Sequence, residues 1–215
     1  MKERGIIFSS EMVRAILDGR KTQTRRIVKS APTTHNFHGW IMSSTCAKDE
    51  GKACWAIGNS PLLKDPIRLK CPLGKIGDRL WVRETWQCGL CTESTFAYKA
   101  THKPTDLEEG WNEKIKWHPS SQMPRWASRI LLEITGVRVE RLQDISEEDA
   151  IAEGVVTGRY GNEGNWLRGF YAPGGNQPHQ NAKSAYSEIW RSIYGVEAWY
   201  KNPLVWVIEF KQIQG

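Results

Sequence analysis

Apolar positions along the chain come in short runs with two different periods. Residues 4–8 are a brief apolar run that predicts a first strand. Ser9, Ser10 and Glu11 then read as a helix start, and Met12, Val13, Ile16 and Leu17 follow on one helical face. Gly19 can end this helix in a left-handed turn. A second helix begins at Ser146, with Glu147, Glu148 and Asp149 in its first turn, and stops at Gly154. A third spans 182–194 and is expected to bury Ala185, Ile189, Trp190 and Ile193.

Between the helices the pattern is strand-like. Gly77-Asp78 opens a strong strand over 79–87, and 95–99 is a shorter candidate. Residues 129–134 and 137–142 predict two strands, or one strand bent at Gly136. The last strand covers 204–213. Three stretches show no clean period and are expected as insertions or loops, at about 30–66, 101–122 and 156–181. Short helices among dominant strands predict an α+β domain over 1–215. The connections suit a small mixed barrel better than a doubly wound sheet.

Composition narrows this picture only a little. With 215 residues, 40% of them apolar, and 11 Trp, the chain can bury a sizeable core. The net charge of +6 suits an anionic partner such as RNA or a nucleotide, and equally suits plain solubility. Five cysteines without a secretory leader, and no run of 18 apolar residues, predict a reduced cytoplasmic chain with no membrane span.

The distribution of charge says more. Residues 20–29 carry five cations, Arg20, Lys21, Arg25, Arg26 and Lys29, and no acid. They lie between a helix end and a strand, where rigid elements position a loop, and they are mixed with the hydroxyls of Thr22 and Thr24. That mixture suits phosphate or polar ligand groups; the plainer reading is a basic surface. Glu84 shares a strand face with Leu80, Val82 and Trp86, so it needs a cation, and the 20–26 turn is the expected source. Glu153 stands at a helix C-terminus against the negative end of the dipole, which also calls for a nearby cation or a catalytic duty.

The segment Gly19-Arg20-Lys21-Thr22-Gln23-Thr24-Arg25-Arg26 resembles the G-x-K-x-x-T-x-R signature of ASCH domains. Residues 77–86, 123–130, 142–155 and 202–210 are similar to phage and prophage members of that family. The resemblance implies a PUA-like mixed barrel with short flanking helices. Family members include small bacterial amidohydrolases that remove the acetyl group of N4-acetylcytidine. Their motif is matched here by Lys21, Thr24 and Glu153, which the resemblance assigns as catalytic. Arg20, Arg25, Arg26 and Glu84 are then candidates for substrate contact, Arg26 for the oxyanion or ribose. This chain is about twice the length such an enzyme needs. A modified nucleoside or RNA is the expected partner, and no cofactor is expected. A non-catalytic reader of RNA or modified bases, a ribonuclease using the same residues, and an adaptor for another protein remain open.

Two further signals are weaker. Cys88-x-x-Cys91 with Cys46 and Cys54 offers four thiolates, but the spacing of the second pair is unusual for zinc, and unligated thiols are the expectation. Tyr160, Trp166, Phe170 and Tyr171 can stack a base or pack on their own domain, while Trp190, Trp199 and Trp206 fall at core positions.

Overall fold

The computed structural model describes residues 1–29, 34–42, 46, 48–58, 64–88, 96–103 and 115–213. In chain order the elements are β1 (Glu3–Ile7), α1 (Ser10–Leu17), β2 (Gln23–Ile27), β3 (Asn36–Trp40), β4 (Ala53–Ile57), β5 (Lys64–Leu69), β6 (Arg79–Arg83), β7 (Trp86–Cys88), β8 (Phe96–Tyr98), β9 (Leu131–Arg141), α2 (Glu147–Ala152), β10 (Val156–Asn162), β11 (Asn165–Tyr171), α3 (Ala182–Tyr194), α4 (Val196–Tyr200) and β12 (Leu204–Ile213). The fold is mixed α+β, mostly sheet with a few short helices. The main sheet has five strands in the order β1-β6-β9-β12-β2, and among the described residues no β1–β2 pairing closes it. No helix among the described residues is long and apolar enough to cross a membrane.

Strand β12 is the spine. It pairs antiparallel with β2 on one side and with β9 on the other, and residues 205–208 are all buried. β9 is one long strand whose register against β12 shifts between Glu209 and Phe210, opposite Gly136. A Cβ at Gly136 would lie 2.5 Å from the Glu209 carboxylate, so a side chain there would require that carboxylate to swing aside.

The stretch expected as an irregular insertion over 30–66 instead contains most of a three-stranded sheet, β3-β4-β5. Its polar residues hide an aromatic face. Trp55 is fully buried, and its ring centroid lies 5.4 Å from that of Phe37 and 5.6 Å from that of Trp206. Trp40 meets Trp206 from the same sheet at 5.8 Å. Few but large aromatic contacts substitute for a regular alternation of aliphatic residues. The expected strand over 79–87 is really two, because the chain leaves β1 after Arg83 and re-pairs with β8 and His118 from Trp86 onward.

Residues 156–171, also expected as loop, form the two-stranded ribbon β10-β11. Its glycines are what make it possible. A Cβ on Gly158 would meet the Tyr171 ring at 2.8 Å, and one on Gly169 would meet the Tyr160 ring at 2.8 Å. Each tyrosine lies across a glycine on the opposite strand, covering one face of the ribbon. Helix α3 buries Ala182, Ala185, Tyr186, Ile189 and Trp190, while Ile193, expected inside, is 56% exposed.

Helix α1 starts as its sequence predicts. Ser9 is its N-cap and accepts a hydrogen bond from the Met12 amide at 3.4 Å. Removing that acceptor orphans a donor in the first turn. Ser9→Ala is therefore expected to cost about 1 kcal/mol, read as a lower denaturant midpoint with an unchanged slope.

Candidate functional site

The 20–26 turn is held by three elements at once. Gly19, at φ 72°, reverses the chain after α1. The Arg20 and Lys21 amides both donate to the Ala15 carbonyl at 2.9 Å, and the Thr22 amide donates to the Ala152 carbonyl of α2 at 2.9 Å. The Thr22 carbonyl accepts from the Phe210 amide of β12 at 2.8 Å. Gly154 completes the arrangement at the end of α2: its φ is 107°, and a Cβ there would stand 3.4 Å from Ala15 and 3.7 Å from Lys21. A Cβ would make only ordinary contacts there, so it is the positive φ that calls for glycine; the turn it makes follows directly on Glu153, which lies against Lys21.

Lys21 and Glu153 are both buried, at 4% and 3% exposure. The Lys21 ammonium donates to Glu153 Oε2 at 2.7 Å and to the Glu153 carbonyl at 2.8 Å. One cation thus answers both the carboxylate and the terminal carbonyl, and offsets the unfavourable dipole at this helix end. Burial pulls the Lys21 pKa below its ordinary 10.5; the charge and hydrogen bond of Glu153 push the other way but do not restore it, and Arg26 and Arg25 lower it further. A buried lysine with a lowered pKa can take up a proton in a reaction cycle.

Arg25 lies behind this pair. Its side chain is fully buried and donates to Glu153 Oε1 at 3.2 Å, to Asp149 Oδ2 at 2.8 Å and to Glu140. Arg138 shares Glu140 and Asp149 with it and also reaches Glu209. For Asp149, burial would raise the pKa, but the hydrogen bond and charge of Arg25 and the charge of Arg138 outweigh it and hold the group below 3.8. The result is a network that fixes Glu153 from the side opposite Lys21.

Lys21, Thr24, Arg25, Arg26 and Glu153 line one cavity of about 390 Å³. That is in the range of small-molecule sites, roughly 300–1,000 Å³. Phe8, Tyr186, Ile189, Trp190 and Tyr194 supply its apolar walls, with Thr85 and Ser120 also lining it. The Trp190 indole N–H is buried and has no hydrogen-bond acceptor among the described residues. Burial raises the Tyr186 phenol well above 10.0, with Glu153 adding to the effect, so this hydroxyl stays protonated and able to donate.

Arg20 and Glu84 go elsewhere, and Arg26, though it lines the cavity, also has a partner of its own. Arg20 does not line the cavity; it donates to Asp18 at 2.8 Å and to the Gly154 carbonyl at 3.4 Å. Arg26 donates to the Ile7 carbonyl at 3.0 Å and stands 5.5 Å from the Phe8 ring centroid. Glu84 is buried as its strand face predicts, but its partner comes from outside the 20–26 turn: Arg129 grips both carboxylate oxygens, at 2.9 and 3.0 Å. The 20–29 cations are thus largely spent on acids and carbonyls rather than forming an open phosphate track. Of the thiols, Cys91 lies outside the described residues, Cys54 is buried, Cys46 exposed and Cys88 half-buried. Among the described residues no group of three or more His, Cys, Asp or Glu is arranged to hold a metal ion. Tyr160, Trp166, Phe170 and Tyr171 are on the β10-β11 ribbon and do not line the cavity.

The aromatic walls are what sequence reasoning missed. Tyr186, Trp190 and Tyr194 recur every four residues, a helical stripe that reads as core until one end of it faces a cavity. No family model matches the chain, and no curated protein or solved structure matches it.

Proposed function

We propose that the chain is an amidohydrolase that removes an acyl group from the exocyclic nitrogen of a modified nucleoside such as N4-acetylcytidine. We further propose that it belongs with the ASCH proteins, on a PUA-like barrel, and works in the cytoplasm. One observation carries this reading: the buried Lys21–Glu153 pair, 2.7 Å apart, in the same aromatic-walled cavity as the Thr24 hydroxyl. The cavity joins a proton acceptor, a nucleophile and flat apolar walls against which a base can stack.

In this reading the Thr24 Oγ attacks the acyl carbonyl and its proton passes to Lys21 Nζ. The tetrahedral intermediate collapses by breaking the bond to the exocyclic nitrogen, which takes the proton from Lys21 and leaves as the free amine. Water then hydrolyses the acyl-Thr24 ester, releasing the carboxylic acid and restoring the hydroxyl. Glu153 holds Lys21 in place throughout and is itself held by Arg25. Arg26, which lines the cavity, meets charge on the carbonyl oxygen.

The Lys21 pKa gives the test. Lysine can accept a proton only when neutral, so activity should fall as pH drops below its lowered value. Acetate release from N4-acetylcytidine, followed from about pH 5 to 10, should give kcat/KM rising to a plateau reached before the ordinary lysine value of 10.5. A flat profile would remove Lys21 as the base.

A further inference from the structure

The β10-β11 ribbon carries an arrangement that neither its own packing nor the cavity uses. Arg159 and Arg168 sit directly opposite one another across the two strands. Both are exposed, and neither has a carboxylate partner among the described residues. Like charges directly opposite in a sheet destabilise it. The pairing therefore favours an anion near the two guanidinium groups.

Strand alternation shows what accompanies them. Thr157, Arg159 and Gly161 share a face of β10, and their cross-strand partners Phe170, Arg168 and Trp166 share it on β11. The opposite face is the one covered by Tyr160 and Tyr171 over Gly169 and Gly158. The arginine face is thus the open one. Arg168 leans toward Phe170, 5.2 Å from its ring centroid, and Trp166 on the other side is 57% exposed. Trp166 and Arg168 are two residues apart, about 7 Å along a strand. That is close to the rise from one phosphate to the next in an extended nucleic-acid strand. A guanidinium pair for a phosphate, with an indole one nucleotide away for a base, is the combination that holds a single strand.

We propose that this face of the ribbon is a binding site for single-stranded nucleic acid, with Arg159 and Arg168 clamping a phosphodiester and Trp166 stacking a neighbouring base. The site lies close to the cavity along the chain, since β10 begins three residues after Glu153. Nothing in it depends on the acyl chemistry, so either reading can fail without the other.

The test is fluorescence anisotropy of the full chain with a labelled single-stranded oligonucleotide of about 12 nucleotides, as RNA and as DNA, and with the corresponding duplex. Wild type should bind both single strands in preference to the duplex. Arg159→Gln with Arg168→Gln should weaken binding roughly 20-fold at 0.1 M salt and flatten the log–log salt dependence by about 1.4, the amount expected for two lost phosphate contacts. Trp166→Ala should weaken binding by roughly 5- to 100-fold while leaving the salt slope alone. The thermal midpoint of the arginine double variant should be unchanged or higher, because a repulsion has been removed. A wild type that binds no single strand, a preference for duplex, or an arginine variant with an unchanged salt slope would each overturn the proposal.

Discussion

Lys21→Met and Thr24→Ala are each expected to slow acyl release from N4-acetylcytidine by about 10²–10⁴-fold, the usual cost of losing a general base or a nucleophile. Lys21→Met keeps an apolar stem in a buried position, so it removes the proton acceptor with little change of volume. Thr24→Ala removes the only atom that can carry the acyl group in the proposed cycle. Because the two act in one step, the double variant should be scarcely slower than the worse single variant. The loss should appear in kcat, with nucleoside affinity measured separately and little changed. A pure reader gives the reverse pattern. There the same substitutions weaken binding by about 1–3 kcal/mol, the cost of unmade polar contacts, and no product forms in any case.

Arg25→Met should be the most damaging substitution for stability. The Arg25 side chain is fully buried and bonded to Glu140, Asp149 and Glu153. Without it, the buried Glu153 keeps only Lys21, and Asp149 keeps Arg138. Breaking a buried ion pair by removing one partner costs about 3–5 kcal/mol, because a charge is left without compensation. The reading is a lower denaturant midpoint with an unchanged slope. Arg25→Lys should recover little of it, since an ammonium cannot fork between three carboxylates. This separates Arg25 from the residues that meet substrate: it lines the cavity, but its hydrogen bonds go to the frame.

What was legible in the sequence follows from the range of the forces involved. Helix α1, its Ser9 cap and the reversal at Gly19 are local, and a local pattern of caps, period and glycine declares them. The burial of Glu84 was also legible, because alternation alone puts it on the inner face of its strand. Its partner was not, since Arg129 reaches it through a β6–β9 pairing that no spacing announces. The meeting of Lys21 and Glu153 came from a family resemblance; the contact itself, beside a positive-φ turn at Gly154 where α2 ends against α1, shows only in three dimensions. The β3-β4-β5 sheet was missed because its burial rests on a few tryptophans packed against Trp206, a distant residue, rather than on alternation. The β10-β11 ribbon was missed because its glycines signal loop in one dimension, while in pairs they are seats for tyrosine rings.

The most direct measurement is incubation of the purified chain with N4-acetylcytidine, and separately with RNA, with products resolved by mass. The account predicts cytidine and acetate from wild type, no release by Thr24→Ala, and RNA strands recovered at full length. Measurable nucleoside binding without any release of acid from N4-acylated cytidines would contradict it and leave a reader of modified bases; shortened RNA would mean that the Lys21, Thr24 and Glu153 cavity cleaves phosphodiesters instead.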